Sequence, residues 1–166
     1  MTLSLIRIDD RLIHGQVVEG WVPALGIKRI LVVSDEAASD STQQALWNLC
    51  APEGVELKIA SFAEAARAVS ECAKDAVKTL VLAAGPQEIL SLLKAGITME
   101  SVNVGGLHYA AGTVQLGKAI YLGEEDLTAF KDIVSRQVRV EGRSVPDEDP
   151  IDLLSMILDS GTAAGG

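Results

Sequence analysis

The sequence predicts a single α/β domain, a three-layer α/β/α sandwich around a mostly parallel sheet. Short apolar runs alternate with helical segments through the first 95 residues, and this alternation predicts right-handed crossovers between parallel strands. Hydrophobic residues make up 48% of the chain but aromatic residues only 4%, so we expect an aliphatic core, as in a sheet covered by helices on both faces. A length of 166 residues suits one domain, which we place at residues 1–159.

Each predicted strand is an apolar run bounded by polar or turn residues. The first run is almost unbroken, which is typical of a strand in the interior of a sheet. Between residues 101 and 122 there is no room for a full helix, so we expect a hairpin or an irregular loop with glycines at its turns. The predicted strands are residues 3–8, 29–33, 55–59, 79–83, 101–104, 119–122 and 138–140.

Helical segments and capping residues predict six helices. Ser61 and Glu64 are spaced as a capping box, Pro86 suits the start of a helix, and Gly96 suits a C-cap. The predicted helices are residues 16–24, 41–49, 62–74, 87–95, 125–136 and 150–158. The tail, residues 160–166, has nothing to pack against and is predicted to be mobile.

Charge and motif content argue against several classes of function. The net charge is −9 and there is no basic run, so nucleic-acid binding is not expected. No apolar run is long enough for a membrane span and the amino terminus does not resemble a signal peptide, which predicts a cytoplasmic protein with Cys50 and Cys72 as reduced thiols. Metal-ligand spacing, a G-x-G-x-x-G after the first strand and a P-loop are all missing, so neither a metal nor a nucleotide cofactor is predicted.

The most informative segment is D-D-R-L-I-H-G-Q, residues 9–16, which joins the first strand to the first helix. In an open α/β sheet this turn lies at the carboxyl edge, where ligands bind, and the helix start offers free backbone N–H groups to an anion. Arg11 supplies a guanidinium fork suited to phosphate oxygens. His14 is therefore a candidate nucleophile for a phosphoryl group. From residue types alone, a solvated turn with a local salt bridge is the alternative.

The order of residues in this segment resembles a known signature. R-I-D-D-R-L-I-H-G-Q-V, residues 7–17, is similar to the histidine-loop motif of subunit IIB of the mannose/fructose/sorbose family of the sugar phosphotransferase system (PTS). Five further segments resemble the same family in the same order, so the resemblance covers residues 3 to 158. They are V-S-D-E-A-A-S-D at 33–40, A-P-E-G-V at 51–55, V-N-V-G-G-L at 102–107, E-E-D-L at 124–127 and V-P-D at 145–147. Ser34 and Ser39 stand where the family usually has Asn.

This resemblance implies a phosphohistidine carrier. By family precedent, subunit IIA donates a phosphoryl group from its own phosphohistidine to Nδ1 of His14, and IIB passes it to a sugar held by the membrane subunits IIC and IID. The implied activity is that of a protein-N(π)-phosphohistidine–sugar phosphotransferase, cytoplasmic and peripherally associated with the membrane subunits. The alternative is a IIB-like regulatory protein that accepts the phosphoryl group without moving sugar. The residues themselves leave open the sugar, the ring nitrogen and a homo-oligomer.

The residues around His14 form the predicted phosphate site. Arg11 is expected to clamp the phosphoryl oxygens, because phosphoryl transfer depends mainly on positioning and electrostatics. The backbone N–H groups of Gly15 and Gln16 are candidate donors, and Asp10 is expected to orient Arg11 or the imidazole. Two adjacent acids would repel an anion, so at least one is expected to be paired with a cation. For Gly15 the alternative is that it only permits an unusual backbone conformation.

Other residues are candidates for supporting roles. Arg7, near the end of the first strand, is expected either to contact phosphate or to form a structural ion pair. Asp35 follows the second strand and is expected to orient the loop or, slightly favoured, to cap the following helix. His108 is interpreted as a surface or partner-contact residue. Leu12 and Ile13 are expected either to form an apolar docking rim or to pack inward.

Overall fold

The central sheet contains seven strands in the computed structural model, which describes residues 3–108, 112–116 and 119–159. Its strands are β1 (Leu3–Asp9), β2 (Arg29–Val33), β3 (Glu56–Ala60), β4 (Thr79–Ala83), β5 (Ser101–Gly106), β8 (Arg139–Gly142) and β9 (Ile151–Asp152), and a separate hairpin pairs β6 (Val114–Leu116) with β7 (Ile120–Leu122). The order across the sheet is β3-β2-β4-β1-β5-β8-β9. Every neighbouring pair is parallel except β8 and β9.

Helices cover both faces of this sheet. A π-helix, Gln16–Trp21, continues directly into the first α-helix. The α-helices are α1 (Val22–Leu25), α2 (Asp35–Ser39), α3 (Ser41–Cys50), α4 (Phe62–Lys74), α5 (Pro86–Lys94), α6 (Glu124–Ser135) and α7 (Leu154–Asp159). The π-helix and α1–α3 pack into one apolar cluster, and α4–α7 pack into another. Within β2, Ile30 and Val32 face the first cluster while Leu31 and Val33 face the second, so the predicted three-layer α/β/α sandwich is confirmed.

The first strand is interior, as its apolar sequence predicts. β1 lies between β4 and β5, and Ile6 and Ile8 join the cluster beneath α4–α7. Because side chains alternate along a strand, Arg7 and Asp9 project to the opposite face, where both are completely buried. The carboxyl end of β1 therefore brings a buried cation and a buried anion to the centre of one edge of the sheet.

Capping residues correctly predict the start of α4 and the end of α5, but the sequence does not predict the π-helix or the short helix α2. Ser61 and Glu64 form the predicted capping box, and Gly96 is left-handed just after α5. The predicted α-helix over residues 16–24 instead begins as a π-helix. The short helix α2 was not predicted at all, although Ser34 caps it by accepting a hydrogen bond from the N–H of Ala37.

The carboxyl-terminal part differs from its prediction. The helix predicted over residues 150–158 is wrong in its first part, because Ile151 and Asp152 form strand β9 on the otherwise free edge of β8. The Asp152 carboxylate then accepts a hydrogen bond from the N–H of Leu154, which starts α7. Between β5 and α6 the chain forms the expected hairpin. The predicted tail at residues 160–166 lies outside the described residues.

A half-buried carboxyl group gives this fold a specific pH dependence. Burial raises the pKa of Glu88, and the nearby Asp35 and Asp126 add to this shift. Between the ordinary pKa of 4.5 and the raised one, the folded state binds more protons than the unfolded state, so stability falls as the pH rises through that window. We expect Glu88→Gln to have a higher free energy of unfolding than the parent at pH 7. This advantage should disappear below about pH 4.5.

Urea unfolding at several pH values measures this difference. The matched control is Glu53→Gln, which removes an equal charge from an exposed position and should show no comparable pH-dependent gain. A Glu88→Gln variant that is no more stable than its parent at pH 7 would contradict the expected penalty.

Candidate functional site

His14 lies at the carboxyl edge of the sheet, between β1 and the π-helix. Its Nε2 is 2.8 Å from Oδ2 of Asp9, the last residue of β1. Because a carboxylate only accepts hydrogen bonds, this contact assigns the ring proton to Nε2. No described residue forms a hydrogen bond with Nδ1, and the His14 side chain is 13% exposed. The geometry therefore leaves the lone pair of Nδ1 without a hydrogen-bond partner among the described residues.

Asp9 is held in turn by the buried Arg7. Nη2 of Arg7 donates to Oδ2 of Asp9 at 3.1 Å and to the carbonyl of Ser144 at 3.0 Å, while Nη1 donates to the carbonyl of Arg143 at 2.7 Å and to Oδ1 of Asn103. Burial lowers the pKa of the Arg7 guanidinium, and the neighbouring Asp9 opposes that shift. Of the two roles expected for Arg7, a phosphate contact or a structural ion pair, the structure shows the ion pair. Arg7 holds Asp9, and Asp9 in turn holds His14.

The guanidinium of Arg7 is also confined by packing. Its Cζ lies 5.2 Å from the centre of the Trp21 ring, and Cζ of Arg143 lies 5.7 Å from the same centre, distances typical of cation–π contacts. The indole N–H of Trp21 donates to the carbonyl of Ser144. Gly105 passes so close that a Cβ placed there would lie 1.8 Å from Nη2 of Arg7. A glycine is thus required at position 105 because of Arg7, not because of a turn.

Arg11 lies beside the same carboxylate. Its backbone N–H donates to Oδ1 of Asp9 at 3.2 Å, and its Nε is 3.9 Å from that oxygen. Its Nη2 donates to Oε1 of Gln16 at 3.0 Å. The Arg11 side chain is 44% exposed, so its guanidinium is accessible to an incoming anion. The structure thus brings Arg11 and His14 to the two carboxylate oxygens of Asp9, and Gln16 contacts Arg11.

The backbone of the loop offers free donors. The carbonyl of His14 accepts hydrogen bonds from the N–H groups of both Val17 and Val18, which anchors the first turn of the π-helix. The N–H groups of Gly15 and Gln16 have no acceptor among the described residues. Gly15 has φ −51° and ψ −45°, an ordinary helical conformation, so the alternative of an unusual backbone is wrong. Space beside its Cα is open.

Strain in the loop lies at a different residue. Leu12 has φ +57°, a left-handed conformation that is uncommon for a residue other than glycine and is found preferentially at functional sites. The side chains of Leu12 and Ile13 are buried in the cluster beneath α1–α3. An apolar docking rim at these two residues is therefore ruled out, and inward packing is confirmed.

Asp10 faces away from the imidazole of His14. Its Oδ2 accepts a hydrogen bond from the N–H of His108 at 2.7 Å, and its Oδ1 is 2.5 Å from Nδ1 of His108. The expectation that Asp10 orients Arg11 or the imidazole is wrong, because Asp9 makes both contacts. The expectation that one of the two acids is paired with a cation is confirmed by Asp9 and Arg7. His108 is exposed, as expected, and ties the end of β5 to the His14 loop.

Asp35 also lies away from His14. Its Oδ1 accepts a hydrogen bond from the N–H of Phe62 at 2.7 Å. It therefore caps the start of α4, whereas Ser34 caps the helix that follows β2. Capping was the favoured alternative for Asp35, but it was expected at the helix that follows β2, and the structure shows it at α4. No contact links Asp35 to the His14 loop within the described ranges.

Sequence reasoning missed Asp9 as the residue that orients His14, and it missed the partners of Arg7, the buried Asn103 and the half-buried Ser144. A period-two pattern was present, since Arg7 and Asp9 alternate with Ile6 and Ile8 and must share one face of the strand. The carbonyls of the loop after β8 carry no comparable signal, because any residue type provides a carbonyl.

The described part of the chain contains no group of three or more His, Cys, Asp or Glu residues that could hold a metal ion. No helix there is long and apolar enough to cross a membrane.

The described residues thus form a mostly parallel α/β sheet with a histidine at its carboxyl edge, oriented by a buried carboxylate. Residues 3–164 match the family described as PTS system sorbose subfamily IIB component. The chain belongs to this family.

Relatives and solved structures agree with this assignment. The chain is 34% identical over 157 residues to the mannose-specific EIIAB component of Escherichia coli (strain K12), covering 95% of this chain and 49% of that protein. It is 32% identical to the fructose-specific EIIB component of Bacillus subtilis (strain 168), covering 95% and 96%. The crystal structure of the IIBSor domain of the sorbose permease from Klebsiella pneumoniae is similar, with a TM-score of 0.88, 28% identity and coverage of 96% and 98%. The chain thus spans about half the length of the EIIAB relative and nearly all of the EIIB relative.

Proposed function

We propose that this protein is a phosphohistidine carrier of sugar uptake, with His14 as the residue that takes up the phosphoryl group. The observation that carries the proposal is the contact of His14 Nε2 with Asp9, which leaves Nδ1 as the free nucleophile. Family membership supports the same chemistry.

The transfer would proceed from the neutral imidazole. The lone pair of Nδ1 attacks phosphorus, the bond from phosphorus to the donor's histidine nitrogen breaks, and the donor imidazole recovers that electron pair. His14 keeps its Nε2 proton and becomes positively charged, so the Asp9 carboxylate stabilises the product as it forms. In the second step, a sugar hydroxyl oxygen bonds to phosphorus as the bond to Nδ1 breaks. The electron pair of that bond returns to the imidazole, and the hydroxyl proton passes to water.

Arg11 and the backbone donors would hold the phosphoryl oxygens. The exposed guanidinium of Arg11 lies beside Asp9, and the N–H groups of Gly15 and Gln16 are free among the described residues. Charge on the three phosphoryl oxygens is stabilised mainly by such preorganised donors. Asp10 has no such role in this proposal, because its carboxylate is engaged by His108.

Partners follow from the proposed reaction. Phosphorylated IIA would be the donor, and IIC and IID with bound sugar would be the acceptor, with the protein bound to these membrane subunits from the cytoplasm. An exposed loop at one edge of the sheet suits the modest, transient interfaces that successive partners require.

A phosphorylation assay tests this function. The protein is incubated with phosphoenolpyruvate, enzyme I, HPr and a matching IIA, and the phosphorylated residue is found by mass spectrometry. We expect one acid-labile, base-stable phosphoryl group on His14, none on His14→Ala, and normal labelling of the matched variant His108→Ala. Full labelling of His14→Ala would refute the proposal.

A further inference from the structure

We infer that the side chain of Gln16 is a positioning residue, which holds the Arg11 guanidinium beside His14 for phosphoryl transfer. This inference rests on the proposed function. It concerns the amide side chain of Gln16, which acts through Arg11, and is separate from the backbone N–H of the same residue.

Arg11 needs a restraint because it is an exposed side chain. Its Nε is 3.9 Å from Asp9, too long for a hydrogen bond, so the only short side-chain contact of its guanidinium with the described residues is the 3.0 Å bond from Nη2 to Oε1 of Gln16. An arginine side chain otherwise samples many rotamers in water. The amide oxygen of Gln16 therefore selects the rotamer that keeps the guanidinium next to the Asp9–His14 pair.

The position of Gln16 is itself fixed relative to the nucleophile. Gln16 is the first residue of the π-helix and lies two residues after His14. The carbonyl of His14 accepts hydrogen bonds from Val17 and Val18, both at 3.0 Å. The same backbone turn thus carries both the imidazole and the amide side chain that accepts the hydrogen bond from Arg11.

A neutral amide suits this task better than a carboxylate. The Gln16 oxygen orients the guanidinium without cancelling its charge. A glutamate would bind Arg11 more tightly and would add a negative charge that repels the incoming phosphoryl group. The inference therefore predicts an order of rates, with the parent fastest, an apolar side chain at position 16 slower and a carboxylate slowest.

The reaction served by this arrangement is the uptake of the phosphoryl group. The bond from phosphorus to the donor histidine breaks as the bond to Nδ1 of His14 forms, and the Nε2 proton stays between His14 and Asp9. Arg11 stabilises the phosphoryl oxygens during this exchange. Misplacing it should lower the maximal rate and leave the apparent affinity for IIA unchanged.

Single-turnover transfer from purified phosphorylated IIA tests the inference. Gln16→Met keeps the length of the side chain and removes the acceptor. We expect its maximal rate to fall about tenfold, the effect of one lost charge-assisted hydrogen bond, and Gln16→Glu to be slower still. The matched control is Gln137→Met, an exposed glutamine in the turn between α6 and β8, at the amino edge of the sheet, and its rate should equal that of the parent.

A double-mutant cycle separates positioning from a general structural effect. In an Arg11→Ala background, Gln16→Met should cause no further loss, because the residue it positions is gone. Three results would overturn the inference. They are a rate for Gln16→Met within twofold of the parent, an equal loss from Gln16→Met in both backgrounds, and a Gln16→Glu variant that is faster than Gln16→Met. If the parent takes no phosphoryl group on His14, the proposed function fails. If the parent is labelled and the Gln16 variants match it, only the role of Gln16 fails.

Discussion

Asp9→Asn is expected to slow phosphoryl uptake by about a thousandfold. An asparagine amide can donate a hydrogen bond to Nε2 of His14, which stabilises the tautomer with its proton on Nδ1 and blocks the nucleophilic lone pair. Loss of the carboxylate also removes the charge that stabilises the phosphorylated imidazole. Replacements that put a catalytic histidine in the wrong tautomer cost on the order of 10⁴-fold in rate elsewhere. The rate is measured in single-turnover transfer from phosphorylated IIA.

The same change should weaken the fold. It removes the counter-charge of Arg7, whose side chain is completely buried, and an unpaired buried charge costs about 3–5 kcal/mol. Urea unfolding measures this loss, and ¹⁵N NMR of the His14 ring reports the tautomer independently of activity. The matched comparison is Asp10→Asn, which changes the neighbouring carboxylate and should slow transfer by less than about tenfold. Equal rates for the two variants would show that Asp9 has no special role.

Gly105→Ala is expected to destabilise the protein by about 3–5 kcal/mol. A Cβ at position 105 would lie 1.8 Å from Nη2, 2.1 Å from Cζ and 2.7 Å from Nε of Arg7. The guanidinium has nowhere to move, because hydrogen bonds hold both terminal nitrogens and Trp21 lies against it. The variant must therefore shift β5 or expel Arg7, and either change releases Asp9 and His14.

Gly106→Ala is the matched control for this prediction. A Cβ at position 106 would lie 3.8 Å from the nearest atom, which is an ordinary contact distance, so its free energy of unfolding should stay within about 1 kcal/mol of the parent. The double variant Arg7→Met/Gly105→Ala should be no less stable than Arg7→Met, since the clash disappears with the guanidinium. A Gly105→Ala protein as stable as Gly106→Ala would contradict the account of Arg7.

The sequence predicts the main architecture because its signals are local and repeated. The apolar run of β1, the alternation of strands and helices, and the capping box at Ser61 each depend on neighbouring residues alone. Errors occur where distant segments decide the outcome. Strand β9, for example, pairs with the otherwise free edge of β8, which no local pattern signals.

The candidate site shows the same division. His14 and Arg11 follow from the loop motif, because residue type and position suffice to suggest their chemistry. The role of orienting His14 and Arg11 was predicted for Asp10 but belongs to Asp9. The sequence does not distinguish the two, since adjacent acids at the end of β1 differ only in the direction of their side chains. The sequence predicts only turn roles for the glycines of residues 101–122, whereas the contact of Gly105 with Arg7 arises from the pairing of β1 with β5, two strands that are far apart in sequence.

The nitrogen that carries the phosphoryl group tests the central claim most directly. Protein labelled with ¹⁵N at histidine is phosphorylated through IIA, and ³¹P–¹⁵N couplings are recorded by NMR. The account predicts coupling of phosphorus to Nδ1 of His14, with the proton still on Nε2 facing Asp9. Coupling to Nε2 of His14, or to either nitrogen of His108, would contradict it.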